Sequence, residues 1–343
     1  MDKIRVGKDR EIKFDKQLRY DRQKYYDIFR YETIPYKDKK VYKNFNFSIF
    51  VDDYCNADCK FCVAQLRYDH RRLIYNKDKL DYDDYMRRLD KTLKEIRPLN
   101  PSISITGGEP TISPKLLDVL KLIDKYDYRK RCITTNGSHL LDIVHGKTIL
   151  EFLIKRNWHH LNISRVSEVE EINKKVMRYN SNEGYCSNEM IKDILSISNK
   201  SNLAHRLSCL LIKDVIDSVG RMKDYIDYYS NIGADNFIFR QLMNYSQDAI
   251  NKEKIDYCNK HNVDLNNIWE SMGGGFEPYL NLLGYYYYVE IYKYKGMIIA
   301  SESADLNQQY KEFAKHPDII YEMVFHPNGN LCGGWVDSEL KIN

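Results

Sequence analysis

Three cysteines, Cys55, Cys59 and Cys62, stand four and three residues apart in the stretch Cys55-Asn56-Ala57-Asp58-Cys59-Lys60-Phe61-Cys62. They directly follow the apolar, β-like run Phe47, Ile49, Val51, so the thiols project from one short loop at a strand's C-terminal end. Cysteine thiolates hold iron–sulfur clusters, and a cubane with three local ligands leaves one iron open to an exogenous chelator. Two other chemistries compete. Structural zinc takes four ligands, and no fourth Cys or His stands at zinc-finger spacing, His70 being a lone candidate eight residues on. A disulfide would leave one thiol over and belongs to an oxidising compartment.

A second motif follows about forty residues downstream: Ser104-Ile105-Thr106-Gly107-Gly108-Glu109-Pro110 closes an alternating strand. Cys-x3-Cys-x2-Cys with an aromatic before the third cysteine, followed by Gly-Gly-Glu-Pro, resembles the signature of the radical S-adenosylmethionine superfamily. The resemblance covers about residues 46 to 243 and does not name a substrate. It implies that Cys55, Cys59 and Cys62 bind a [4Fe–4S] cluster whose fourth iron chelates S-adenosylmethionine. It also implies that Gly107 and Gly108 lie against the methionine, with Glu109 fixing the turn, and that Phe61 lies beside the adenine. Reductive cleavage then gives methionine and a 5′-deoxyadenosyl radical that abstracts hydrogen from the substrate, with flavodoxin or ferredoxin as the kind of electron donor.

These groups need a scaffold. From Phe47 onward, strands of four to eight residues alternate with helical segments, the pattern of βα units and a parallel sheet. Strands are expected near 47–52, 102–107, 131–135, 160–165, 204–212 and 235–241. Helices are expected near 115–125, where Leu116, Leu117, Leu120 and Ile123 recur at helical period, and near 219–231. A closed eight-unit barrel needs two more βα repeats than the pattern offers. The expected fold is therefore α/β, a partial (β/α)6 TIM-like barrel over 47–243. A polar N-terminal segment, 1–46, is expected to wrap it. Residues 244–343, with Gly273-Gly274-Gly275 as a turn and Asn328-Gly329 as a hairpin signal, read as a small β-rich extension capping the barrel.

On this scaffold, catalytic residues belong at the strands' C-terminal ends. Thr134-Thr135-Asn136-Gly137 ends the third strand, and Asn162, Ser164 and Arg165 end the fourth. In relatives that place supplies contacts to the ribose and methionine carboxylate; capping and turn formation explain Asn and Ser as well. Arg240 ends the sixth strand, a charge amid apolar residues that needs a partner, either a ligand carboxylate or an internal ion pair. Cys332 lies alone in the glycine-rich end of the extension, where it is either a structural cysteine or, as the resemblance to epimerising relatives implies, a hydrogen-atom donor to a product radical. Cys132, Cys186, Cys209 and Cys258 are scattered, as small core residues are, and the cysteine count speaks against an auxiliary cluster. The basic run Arg67, His70, Arg71, Arg72 is either an anion clamp or a solvated helix face.

Composition is that of an ordinary soluble chain of 343 residues, 43% hydrophobic and 30% charged, with a formal charge of +4. That charge gives no support to a nucleic-acid binder. No apolar run approaches the roughly 18 to 20 residues of a membrane span, and the charged N-terminus lacks a signal sequence's apolar region. A cytoplasmic enzyme with reduced thiols, acting on a small metabolite or natural-product intermediate, is the expectation. The alternatives are modification of a ribosomally made peptide and a non-catalytic iron–sulfur or zinc protein.

Overall fold

The computed structural model describes residues 11–21, 32–64, 80–180, 184–243, 251–335 and 340–342. All six expected strands form: β1 (Asn46–Phe50), β2 (Ser102–Thr106), β3 (Lys130–Thr135), β4 (His160–Ser164), β5 (Ala204–Leu211) and β6 (Asn236–Gln241). They pair in chain order and in parallel. Helices α1 (Tyr82–Ile96), α2 (Leu116–Asp124), α3 (Ile149–Lys155), α4 (Asn188–Asn199) and α5 (Val219–Asn231) make the crossovers.

The residues after 243 add strands to the sheet. β7 (Met297–Ala304) pairs in parallel with β6, and β8 (Met323–Phe325) in parallel with β1, so the extension lengthens the parallel sheet at both edges. Beyond β7, strands Tyr287–Tyr294, Glu277–Leu283 and Glu11–Lys13 continue the sheet antiparallel. Leu331–Cys332 closes the other edge against β8. The fold is a partial parallel barrel whose sheet stays open between Glu11–Lys13 and Leu331–Cys332.

Side-chain alternation decides what each face holds. Ile49, Ile105, Ile133, Ile163, Leu207 and Phe239 are fully buried on the outer face, in one core with Leu89, Leu120, Leu150, Ile194 and Tyr225 of the crossover helices. Each such residue contributes about 1.5–3 kcal/mol relative to leaving it exposed. The inner face carries Ser48, Ser104, Cys132, Asn162 and Arg240 and bounds two joined cavities of about 520 and 470 Å³. Helix ends are sealed locally: the Asp81 side chain accepts from the Asp84 N–H, and Thr148 with Glu151 forms a reciprocal capping box on α3.

One buried group makes this edge sensitive to acid. His326, just past β8, is fully buried, lies over Phe50 with ring centroids 6.3 Å apart, and has Nε2 3.3 Å from the Gly334 carbonyl oxygen. Burial lowers its pKa from 6.5 to about 4. As pH falls through that window the unfolded chain takes up a proton that the folded chain refuses, so stability declines, by about 3 kcal/mol across the whole interval. Urea midpoints should therefore drop between about pH 6.5 and 4, and His326→Gln should flatten that part of the profile. An unchanged slope in the variant would place the acid sensitivity elsewhere.

Candidate functional site

The two glycines after β2 are packed against the backbone that leads into the cysteines. Val51 donates its N–H to Thr106 O (3.0 Å), Gly108 to Asp52 O (2.8 Å) and Glu109 to Tyr54 O (2.8 Å), so β1–β2 pairing runs on to the residue before Cys55. A Cβ on Gly107 would lie 2.6 Å from Asp52 O, and one on Gly108 2.1 Å from Tyr54 O. Only glycine permits that approach.

Glu109 closes the same end of the sheet. Its carboxylate is buried and accepts from Thr111 N (3.0 Å), Thr111 Oγ1 (2.6 Å), Thr135 Oγ1 (2.5 Å) and Asn136 N (2.7 Å). Burial pushes its pKa up, and these donors offset part of that rise. Asn136 then donates to Asn56 Oδ1 (2.8 Å), inside the cysteine loop, and Asn56 donates to Ser138 Oγ (2.9 Å) and Gly184 O (2.6 Å). One hydrogen-bonded chain thus joins the ends of β2 and β3 to the loop.

A clamp unforeseen from the sequence holds the loop's other side. Asp58 meets Arg178 at 2.6 Å and Lys254 at 2.8 Å; Lys254 Nζ also donates to Cys59 O (2.5 Å). Lys254 lies on α6 (Lys252–His261) and its side chain is 3% exposed. Nothing in the local sequence marks this partner, since 196 positions separate it from Asp58.

Cys55, Cys59 and Cys62 are half-buried in this frame. Burial, then the Glu109 carboxylate, pushes Cys55 up to about 12, and burial followed by the neighbouring Cys62 and Cys55 holds Cys59 well above the usual thiol range. Thiols so placed ionise against a cationic partner, which an iron cluster supplies. Among the described residues, no three Cys, His, Asp or Glu side chains are drawn together at single-ion distances. A cubane, whose ligated irons lie apart, asks for less convergence than one ion does. The donor set fits a three-cysteine cluster.

Phe61 and Gly107 line the upper cavity, and Asn162 the lower. Asn162 accepts from Arg206 Nε (2.9 Å). Ser164 ends β4 half-buried. Arg240 lines both cavities, pairs with Glu302 (3.0 Å) and donates to Ser208 Oγ (3.3 Å), so the internal ion pair is made. Arg165 turns to the helix side, away from the lumen, and donates to Cys186 O, Asn188 Oδ1 and Tyr229 Oη. Cys332 is fully buried opposite Val324 and lines neither cavity. The run Arg67, His70, Arg71, Arg72 lies outside the described residues.

Residues 49–203 match the sequence pattern described as "Radical SAM superfamily". That span contains the cysteine loop, the Gly-Gly-Glu-Pro turn and β4. Residues 49–203 carry a radical SAM domain. Radical SAM proteins are enzymes that use a [4Fe–4S] cluster and S-adenosylmethionine. The chain is 31% identical over 132 residues to a GTP 3′,8-cyclase of Clostridium perfringens (strain SM101 / Type A), covering 38% of this chain and 37% of that protein. It is 30% identical over 104 residues to a 7,8-dihydro-6-hydroxymethylpterin dimethyltransferase of Methanocaldococcus jannaschii, covering 30% of this chain and 19% of that protein. The chain therefore spans well under half the length of these two relatives. A solved radical SAM methyltransferase from Sphaerobacter thermophilus aligns with a TM-score of 0.41 at 14% identity, over 66% of this chain and 64% of that one. No described helix is long and apolar enough to cross a membrane.

Proposed function

We propose that Cys55, Cys59 and Cys62 hold one [4Fe–4S] cluster, that S-adenosylmethionine binds beside Gly107 and Gly108, and that the enzyme abstracts hydrogen from a small molecule held in the lumen. The observation that carries this reading is the backbone pairing of Gly108 and Glu109 with Asp52 and Tyr54, which sets the glycine turn against the loop bearing the three thiols. When bound, cluster and cofactor supply one-electron cleavage of the sulfonium to methionine and a 5′-deoxyadenosyl radical. The chain's own residues do the positioning. Gly107 and Gly108 offer backbone at a distance no side chain would allow, Phe61 gives an apolar wall at the upper cavity, and the Asp58–Arg178–Lys254 clamp with Asn56 keeps the loop from shifting. The joined cavities below receive the substrate, and the barrel wall excludes water and competing quenchers.

The relatives' names point to cyclisation of a nucleotide in one case and methylation of a pterin in the other. Small-molecule chemistry is common to both. Flavodoxin or ferredoxin is the proposed class of electron donor, and the cytoplasm the proposed setting. The test is anaerobic reconstitution with iron and sulfide. About four irons per chain are expected, together with equimolar methionine and 5′-deoxyadenosine on adding dithionite and S-adenosylmethionine. A four-iron protein that forms no deoxyadenosine when reduced, or iron retained after all three cysteines are changed to alanine, would overturn the proposal.

A further inference from the structure

Arg206 stands on the inner face of β5, beside Asn162 on β4, and lines the lower cavity. Its Nε donates to Asn162 Oδ1 at 2.9 Å. Among the described residues, no carboxylate lies within ion-pair distance of it and neither Nη has a hydrogen-bond partner. Arginine presents five donors and tolerates enclosure when they are matched by an oxyanion. Arg240, its neighbour in the lumen, is matched in that way by Glu302.

The surroundings make the mismatch larger. Among the described residues, Arg206 and Arg240 line the lower cavity together with Glu302, which Arg240 already holds. Burial, then the like charge of Arg240, lowers the Arg206 pKa to about 10, offset in part by Glu302, so the side chain is still charged at neutral pH while that carboxylate is paired with Arg240. The cavity of about 520 Å³ has room for a ligand group. It joins the upper cavity through Arg240, Tyr287 and Glu302, which line both.

We propose that the lower half of the lumen is an oxyanion pocket, in which Arg206, held by Asn162 and backed by Arg240, receives a carboxylate or phosphate group of the substrate. This rests on the reading above, because it takes the ligand to be the molecule whose reacting carbon lies under the cysteine loop. The anionic end points down the barrel and the reacting end up. Asn162 sets the plane of the guanidinium through its Nε bond, leaving the Nη edge for bidentate contact. Glu302 acts as an internal competitor: it holds Arg240 until a ligand oxyanion arrives and keeps the lumen from binding every passing anion equally.

Calorimetric titration of the anaerobically reconstituted protein with succinate and with inorganic phosphate, at low ionic strength, tests this. At least one probe should bind, and the tighter of the two identifies the substrate group as carboxylate or phosphate. Arg206→Gln should weaken that binding about tenfold or more, the worth of one charged hydrogen-bonded contact. Glu302→Gln should strengthen it several-fold by releasing Arg240, a gain that misfolding cannot mimic. Absence of binding by both probes overturns the pocket, as does wild-type affinity in Glu302→Gln together with wild-type affinity in a folded Arg206→Gln. Failure of the radical chemistry would show in the iron and deoxyadenosine assays, which contain no oxyanion probe. Failure of the pocket shows in the titration, which contains no reductant.

Discussion

Gly108→Ala should strip the protein of its iron while leaving the barrel folded. A methyl group there meets Tyr54 O at 2.1 Å and Tyr54 C at 2.4 Å, both backbone atoms that no rotamer change can move aside. Relief requires the 52–54 segment to shift, which breaks the bonds from Gly108 N to Asp52 O and from Glu109 N to Tyr54 O and carries Cys55 with it. Overpacking of this kind costs about 1–3 kcal/mol, a fraction of the stability of a sheet whose other strands are untouched. Geometry suffers more: a displacement near 1 Å is worth about a hundredfold in rate where reacting groups must be aligned. Iron retained after anaerobic desalting should fall to a small part of the wild-type value, with deoxyadenosine lower by about a hundredfold or more. Gly220→Ala, on the exposed start of α5 with its nearest atom 3.9 Å away, is the control and should be neutral or slightly stabilising. Wild-type iron and cleavage in Gly108→Ala would mean that the glycine turn does not hold the loop.

The sequence showed the strands because their composition alternates. Ser102–Thr106 reads Ser-Ile-Ser-Ile-Thr and His160–Ser164 reads His-Leu-Asn-Ile-Ser, and both form as expected. Parallel strands covered by helices are usually apolar on both faces. Here one face is polar because it bounds a lumen, and in the structure that alternation puts Asn162 and Arg240 on the lumen side and Arg165 on the other. The two further parallel strands, near 297–301 and 322–326, also read as β, but their place in the parallel sheet did not show. Met297–Ala304 and Met323–Phe325 follow no regular βα repeat, since a long connection with two antiparallel strands separates β6 from β7. Their parallel pairing is a tertiary outcome, decided by which sheet edges were left open.

Local motifs were the legible part of the site, and long-range partners were not. Cys55, Cys59, Cys62 and Gly107 to Glu109 lie in contiguous signatures, and the role of Glu109 in fixing its turn shows as four accepted hydrogen bonds. Lys254 and Arg178 meet Asp58 only after α6 and the segment following Glu170–Met177 have packed on the loop. Their spacing carries no period or motif. Arg206 was passed over because an arginine in a strand gives no sign of whether its partner is a protein carboxylate or a ligand; the missing partner becomes visible when the lumen is drawn around it.

Arg165→Met should destabilise the fold and leave cofactor binding to the folded fraction unaltered. The guanidinium is fully buried, donating to Tyr229 Oη (3.0 Å), Cys186 O (2.6 Å) and Asn188 Oδ1 (2.5 Å). Removing it leaves those acceptors facing an apolar thioether, at about 1–3 kcal/mol for each that finds no substitute. Tyr229 has a replacement, since its hydroxyl already donates to Ser167 O (2.9 Å), and it also stands 3.1 Å from Asn188 Oδ1. Among the described residues the Cys186 carbonyl has no second donor, so the net loss is about 3 kcal/mol. That is a large part of a stability near 5–15 kcal/mol. Arg165→Lys should recover little of it, because an ammonium cannot meet three acceptors fixed by a planar fork. Urea unfolding of the apoprotein reads the loss directly. The competing role, a contact from Arg165 to the methionine carboxylate, predicts the reverse pattern: an unchanged midpoint and S-adenosylmethionine bound tenfold or more weakly, as one charged hydrogen bond is worth. An unfolding midpoint within about 1 kcal/mol of wild type would therefore move Arg165 from the helix side of the barrel into the site.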